Sequence, residues 1–169
     1  MSVSEESLKE TGRSQAEVLA EMVAALACDY DRLEELRAER DNAQEDSEEA
    51  VVEFLKDNAE ELTELETAAG ECTSTDDARQ RIEEDALSVE VRGDWCSIGA
   101  MDELKQPVEF KILLSTGGPA TQIRGELSDG EPVRAWLEVQ DWGTPWTRYF
   151  DISQDTLLAY ARVFYFGES

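Results

Sequence analysis

In the first quarter of the chain, apolar residues recur every three or four positions, which is the period of a helix with one buried face. The residues of this stripe are Leu19, Met22, Leu26, Tyr30, Leu33 and Leu36. Ser14 and Glu17 have the Ser-x-x-Glu spacing of a capping box, in which each residue satisfies a free backbone N–H at a helix start. The pattern therefore predicts a helix over about residues 14–42.

A second apolar stripe follows and predicts a helix over about residues 47–69, ended by Gly70. Its residues are Val51, Phe54, Leu55, Leu62 and Leu65. Because only the turn 42–47 separates the two helices, we expect them to pack as an antiparallel hairpin. A third, short helix is predicted from Ser74 or Thr75 to about Glu84.

The second half of the chain alternates apolar and polar residues with period two, which is typical of strands buried on one face. The predicted strands are 87–91, 108–114, 121–127 and 133–139. Short connections favour an antiparallel meander, and a final helix over about 153–165, capped by Asp151 or Ser153, is expected to cover its apolar face. The predicted fold class is α+β, with an acidic helical hairpin region over 1–85 and a ββββα domain over 86–169.

The hairpin around Asp129-Gly130 allows a prediction of register. A two-residue turn would mix the apolar and polar faces, whereas a three-residue loop over 129–131 keeps them matched. That loop sets Leu127 opposite Val133, Ile123 opposite Leu137 and Arg124 opposite Trp136, and so predicts a cation–π pair between Arg124 and Trp136.

The charge of the chain is large, negative and uneven. Forty acids against 15 bases give a net charge of −25 over 169 residues. Residues 1–85 carry 27 acids and eight bases, a net charge of −19. Phosphates would be repelled, so we expect no direct binding to nucleic acid or to an anionic membrane.

The absence of histidine excludes Ser-His-Asp, Cys-His and histidine-metal sites. Three widely spaced cysteines without a CxxC motif indicate reduced thiols, and Thr116-Gly-Gly-Pro119 lacks the phosphate-loop pattern. The start is polar and no apolar run could span a bilayer. We expect a cytoplasmic protein without catalytic residues, cofactor or metal.

The densest acidic stretch is 45–66, where ten acids face a single base, Lys56. The acids are Glu45, Asp46, Glu48, Glu49, Glu53, Asp57, Glu60, Glu61, Glu64 and Glu66. An exposed helix usually alternates Glu with Lys, but this one accepts repulsion between acids four residues apart. Ten acids over about 33 Å of helix approach the charge spacing of one DNA strand, about 3.4 Å per phosphate. We therefore predict that these ten residues bind a partner, although a merely solvated acidic coat is the alternative.

Aromatic residues form a second candidate site. Trp142 and Trp146 flank Gly143-Thr-Pro145, and with Trp136 they could anchor a partner. The alternative, which the usual burial of large aromatics favours, is that they fold over the sheet edge as a small core.

Several segments of the last 80 residues carry a resemblance. These are Ile112-Leu-Leu-Ser-Thr-Gly-Gly-Pro-Ala120, Arg134-Ala-Trp-Leu-Glu138, Gln140-Asp-Trp-Gly-Thr-Pro-Trp-Thr147 and Phe164-Tyr-Phe-Gly-Glu168. They resemble an uncharacterised family of small acidic proteins of bacterial conjugative elements and phages. The overall profile is similar to anti-CRISPR and anti-restriction DNA mimics. The resemblance implies a mobile-element context and no known chemistry.

Together these observations predict a non-enzymatic anti-defence inhibitor that occupies the DNA-binding surface of a partner, such as a CRISPR effector or a restriction enzyme. The alternative is a structural coiled-coil protein of a mobile element, with a homodimer as one possible form. Halophilic adaptation fits the scarcity of lysine but not the uneven charge.

Overall fold

The computed structural model describes residues 3–99 and 106–167, and it is a mixed α+β structure. Four helices precede a five-stranded antiparallel sheet, and a short helix follows it. The helices are α1 (Val3–Ala27), α2 (Tyr30–Asp46), α3 (Glu48–Ala69), α4 (Thr75–Asp85) and α5 (Gln154–Ala161). The strands are β1 (Ser88–Gly93), β2 (Pro107–Ser115), β3 (Ala120–Ser128), β4 (Glu131–Gln140) and β5 (Thr147–Tyr149). The predicted class is confirmed, with one strand more than expected.

The long first helix predicted over 14–42 is wrong, because two helices occupy this region. Helix α1 begins eleven residues earlier, so Ser14 and Glu17 lie within it and form no capping box. The helix ends at Ala27, and Asp29 caps α2 by accepting a hydrogen bond from the Arg32 N–H at 3.0 Å. The apolar stripe continues through the break, which is why periodicity alone did not reveal it.

Helices α3 and α4 confirm their predictions within a residue or two. The Ser47 hydroxyl accepts a hydrogen bond from the Ala50 N–H at 3.1 Å, and Gly70 ends α3 with a φ of 56°. That φ lies in the left-handed region, which glycine adopts without steric cost. Helices α2 and α3 form the hairpin, with Ser47 alone between them.

The described residues divide into two compact units. One contains the chain up to Ala20 together with the chain from Arg81 onward, and the other is Glu21–Gln80. In the second unit, a cluster of Cys28, Leu33, Leu36 and Leu62 is buried between α2 and α3. Both arms of the hairpin therefore contribute to this core, and Cys28, which precedes α2, adds to it.

In the first unit, the sheet has the order β1-β2-β3-β4-β5, and its apolar face is covered. The largest buried side chains of this unit include Phe110, Ile112, Ile123, Leu137, Leu157 and Tyr160. Helix α1 also lies on this face, because the Thr121 hydroxyl donates to Gln15 Oε1 at 2.8 Å. Gly12 lets the ring of Tyr149 approach, since a side chain at this position would overlap that ring.

The predicted register of β3 and β4 is correct in the body of the hairpin and wrong at its turn. Ile123 pairs with Leu137 and Arg124 with Trp136, as expected. However, Leu127 pairs with Pro132, because a bulge follows Glu126 and the turn has only two residues, with Asp129 at a φ of 51°. Because the bulge adds one residue to one strand, a two-residue turn is compatible with apolar residues of both strands on the same face.

Helix α5 is shorter than the predicted 153–165. Ser153 caps it, as expected, by accepting a hydrogen bond from the Thr156 N–H at 3.1 Å. After Ala161, backbone N–H groups donate to carbonyl groups three residues earlier instead of four. Val163 N–H donates to the Tyr160 carbonyl, and Phe164 N–H donates to the Ala161 carbonyl. This tightening ends the helix.

Candidate functional site

The ten acids predicted to bind a partner lie on the hairpin of α2 and α3. Glu45 and Asp46 end α2, and the other eight are on α3. Nine of the ten are exposed, and only Glu66 is half-buried. The structure thus places them on the surface of one unit, where residues 21–80 hold 20 acids against five bases, a net charge of −15.

Five of these acids form one row along the outer face of α3. They are Glu49, Glu53, Asp57, Glu60 and Glu64, spaced by four, four, three and four residues. Since successive residues turn by about 100°, these five side chains fall within about a quarter of the helix circumference, opposite the buried Leu62. At 1.5 Å per residue the row is about 22 Å long, with steps of about 4.5–6 Å. We call these five residues the α3 acidic row.

Glu61 and Glu66 have a different role, because arginines of α2 hold them. Arg32 donates two hydrogen bonds to the carboxylate of Glu61, at 2.9 and 3.0 Å. These hydrogen bonds raise the pKa of Arg32 and lower the pKa of Glu61. Glu66 lies 3.3 Å from Arg37 and 3.6 Å from Arg40. Both carboxylates therefore join the two arms of the hairpin.

The α3 acidic row has no such partners. Among the residues that the structure describes, no arginine or lysine lies within ion-pair distance of any of its five carboxylates. The unit Glu21–Gln80 contains five bases. Three of them lie on α2 and form ion pairs with acids outside the row, namely Arg32, Arg37 and Arg40. The row thus presents five carboxylates on one helix that form no ion pair with any described residue.

The aromatic segment does not form the small core that was considered for it. Trp142 is 79% exposed and Phe150 is 81% exposed, whereas Trp146 is at the limit between half-buried and exposed. Trp142 lies against Gly118, where a side chain would overlap its indole ring. Trp142 is therefore an outward-facing aromatic side chain that lies close to Gly118.

Trp136 belongs to a polar network that the sequence analysis missed. Its indole N–H donates to Glu138 Oε1 at 2.9 Å, and Gln122 Nε2 donates to Glu138 Oε2 at 2.6 Å. Glu138 is only 8% exposed, yet both of its oxygens have donors. The predicted register of Arg124 opposite Trp136 is correct, but the cation that lies over the Trp136 ring is Arg148 of β5, at 4.2 Å from the ring centroid. The unexpected strand β5 supplies this arginine.

Cys28 and Cys72 are buried, Cys96 is exposed, and all three are free. Burial raises the pKa of the Cys28 thiol, which disfavours its nucleophilic thiolate form. Within residues 3–99 and 106–167, no three Cys, Asp or Glu side chains are arranged to hold a metal ion. In the same residues, no helix combines the length and apolar character that crossing a membrane requires.

Comparison with known proteins adds no relative. No protein-family model, no curated protein and no solved structure matches the chain.

Proposed function

We propose that this chain is a non-enzymatic inhibitor of the anti-CRISPR or anti-restriction type, which binds a DNA-binding protein or complex through the α3 acidic row. The observation that carries the proposal is the division of acids on α3. Glu61 and Glu66 form ion pairs within the hairpin, whereas the carboxylates of the α3 acidic row have no ion-pair partner among the residues that the structure describes. A row of like charges that repel one another and form no described ion pair within the chain is accounted for by a basic partner.

The spacing of charge supports nucleic-acid mimicry. The five carboxylates of the α3 acidic row lie along about 22 Å of α3, in steps of about 4.5–6 Å. One strand of duplex DNA carries a phosphate about every 3.4 Å. Lysines and arginines placed to hold successive phosphates can therefore meet carboxylates at similar intervals, in charge-assisted hydrogen bonds.

The test begins with a tagged full chain, used to capture partners from a bacterial lysate and eluted in steps of rising salt. We expect a DNA-binding protein that elutes as salt screens the acids, and we expect the chain to displace duplex DNA from it. The row variant reverses Glu49, Glu53, Asp57, Glu60 and Glu64 to Lys and keeps Glu61 for the hairpin. It should weaken binding by at least about 100-fold, or about 2.8 kcal/mol.

A matched control reverses five exposed acids of the other unit, which changes the net charge by the same amount. These acids are Glu6, Glu10, Glu17, Glu83 and Glu131. We expect this control to bind within about threefold of the wild type, because total charge mainly changes the rate of encounter. Equal losses of affinity in both variants would show that the row acts only by non-specific electrostatic attraction. Unchanged inhibition by the row variant would refute mimicry.

A further inference from the structure

Strand β1 forms one edge of the sheet and pairs only with β2 among the described residues. The outer side of an edge strand presents backbone N–H and C=O groups that another strand can bond. The edge is six residues long and carries no proline, and its pairing with β2 is regular from Ser88 to Arg92, with a shift only before Gly93.

The side chains of β1 are unusual for an edge that faces water. Val89 and Val91 lie on the apolar face of the sheet, because they pair with Ile112 and Phe110. They are nevertheless 38% and 51% exposed, and Leu87 before them is 58% exposed. These three alternating apolar residues therefore belong to the apolar face of the sheet, but they lie at its edge and remain exposed there.

The opposite face of β1 carries one acid and one base. Glu90 lies 2.6 Å from Lys111, and Arg92 is paired with Glu109, both on β2. The side chains of Glu90 and Arg92 are therefore held on this face of the sheet by β2. Among the described residues, neither forms an ion pair on the side away from β2. An acid and a base two residues apart make the strand self-complementary in an antiparallel pairing.

We propose that β1 pairs antiparallel with β1 of a second copy, about a two-fold axis at Val91, and joins two sheets into one of ten strands. In a continuous sheet, opposed residues must point to the same face, so the axis passes through a residue. An axis at Val91 sets Val91 against Val91 and sets Glu90 against Arg92 of the second copy, twice. The ion pairs then form a continuous series across the two copies. Lys111 and Glu90 of one copy are followed by Arg92 and Glu109 of the other.

Other registers fit less well. An axis at Glu90 or at Arg92 sets like charges directly opposite, which is destabilising. An axis at Val89 joins apolar residues but leaves Arg92 without its counterpart. The Val91 register also sets Val91, which is 51% exposed, against the same residue of the second copy.

The first test is the mass of the untagged full chain by light scattering. A six-residue strand pair buries less than the roughly 1,200 Å² of stable complexes, so the dimer should be concentration-dependent. We expect the mass to rise from 18.9 kDa towards twice that value between about 5 and about 500 µM. A mass that stays monomeric over this range would overturn the proposal.

The second test fixes the register by cysteine crosslinking in a Cys96→Ser background, since Cys28 and Cys72 are buried. Val91→Cys lies on the axis and should form a disulfide with its own copy, because opposed residues are about 4.5–5.5 Å apart. Val89→Cys and Glu90→Cys should not. Crosslinking at either of these positions instead of at Val91 would refute this register.

A charge variant completes the design. Arg92→Glu places an acid against Glu90 of the second copy and should weaken dimerisation at least tenfold. Arg134→Glu is the matched control, because Arg134 pairs with Glu126 on the same face but lies on interior strand β4. Equal weakening by both variants would contradict a contact at the β1 edge. None of these residues belongs to the α3 acidic row, so either proposal can fail without the other.

Discussion

Neutralising the α3 acidic row should stabilise the fold, which is the reverse of the usual effect of removing native side chains. The variant carries Glu53→Gln, Asp57→Asn, Glu60→Gln and Glu64→Gln. Glu49 is kept because an acid in the first turn interacts favourably with the helix dipole. These replacements preserve size and change helix propensity little.

The magnitude follows from the spacing of the row. Four like-charge pairs lie three or four residues apart: Glu49/Glu53, Glu53/Asp57, Asp57/Glu60 and Glu60/Glu64. Each costs about 0.2–0.5 kcal/mol in an exposed helix, so the variant should gain about 0.8–2 kcal/mol. In a unit of about 60 residues, each kcal/mol raises the melting temperature by about 4–8 °C.

The assay is thermal and urea unfolding followed by far-UV circular dichroism at two salt concentrations. Screening lengths are about 30 Å at 0.01 M and about 3 Å at 1 M ionic strength, so the gain should largely disappear at 1 M. The matched control carries Glu61→Gln and Glu66→Gln, which removes the same kind of charge from the same helix. It should lose stability, because Arg32, Arg37 and Arg40 hold these two carboxylates.

Two results would refute the reasoning. A row variant less stable than the wild type at low salt would mean that the row makes stabilising contacts within the chain. A gain that persists unchanged at 1 M salt would mean that electrostatic repulsion is not its source.

Two further predictions concern the sheet unit. The Tyr160 hydroxyl donates to Asp85 Oδ2 at 2.7 Å, and burial with this hydrogen bond raises the pKa of Tyr160 far above its ordinary value of 10.0. Because the unfolded tyrosine loses its proton first, this stability is complete below pH 10 and falls above it, by up to about 1.4 kcal/mol per pH unit. Tyr160→Phe should cost about 1–2 kcal/mol at neutral pH and flatten the alkaline fall in urea unfolding, and an unchanged pH profile would contradict the assignment. Gly125→Ala should cost about 1–3 kcal/mol in the same assay, because its methyl group would overlap the Arg134 carbonyl and the Phe110 ring. Gly99→Ala, which meets open space, should be neutral, and equal effects at both positions would show that the overlap is not the cause.

The acidic row could be read from the sequence because it depends on one local rule. Residues 49, 53, 57, 60 and 64 share a face as soon as the segment is a helix, and both ends of that helix carry clear signals in Ser47 and Gly70. The roles of Glu61 and Glu66 could not be separated from the row in this way. Their arginines lie 26 to 29 residues earlier, and only the packing of the hairpin brings them within reach.

The same contrast applies to the sheet. The alternation of apolar residues determined the strands and their register at Ile123/Leu137, since burial of one face admits no slip of a single residue. The bulge after Glu126 and the placement of Arg148 over Trp136 depend on turn geometry and on a three-residue strand too short to show a period.

By itself, then, the sequence determined what periodicity and composition control: the α+β class, strands β1 to β4, helices α3 and α4, the acidic face of α3 and the net charge of −25. Tertiary structure alone decided which acids are neutralised, which aromatic residues face outward, and that β1 is left as an exposed edge. The physical reason is range. A helical face or a strand face is set by neighbours within a few residues, whereas an ion pair, a ring contact or a sheet edge is set by residues far apart in the chain that the fold brings together.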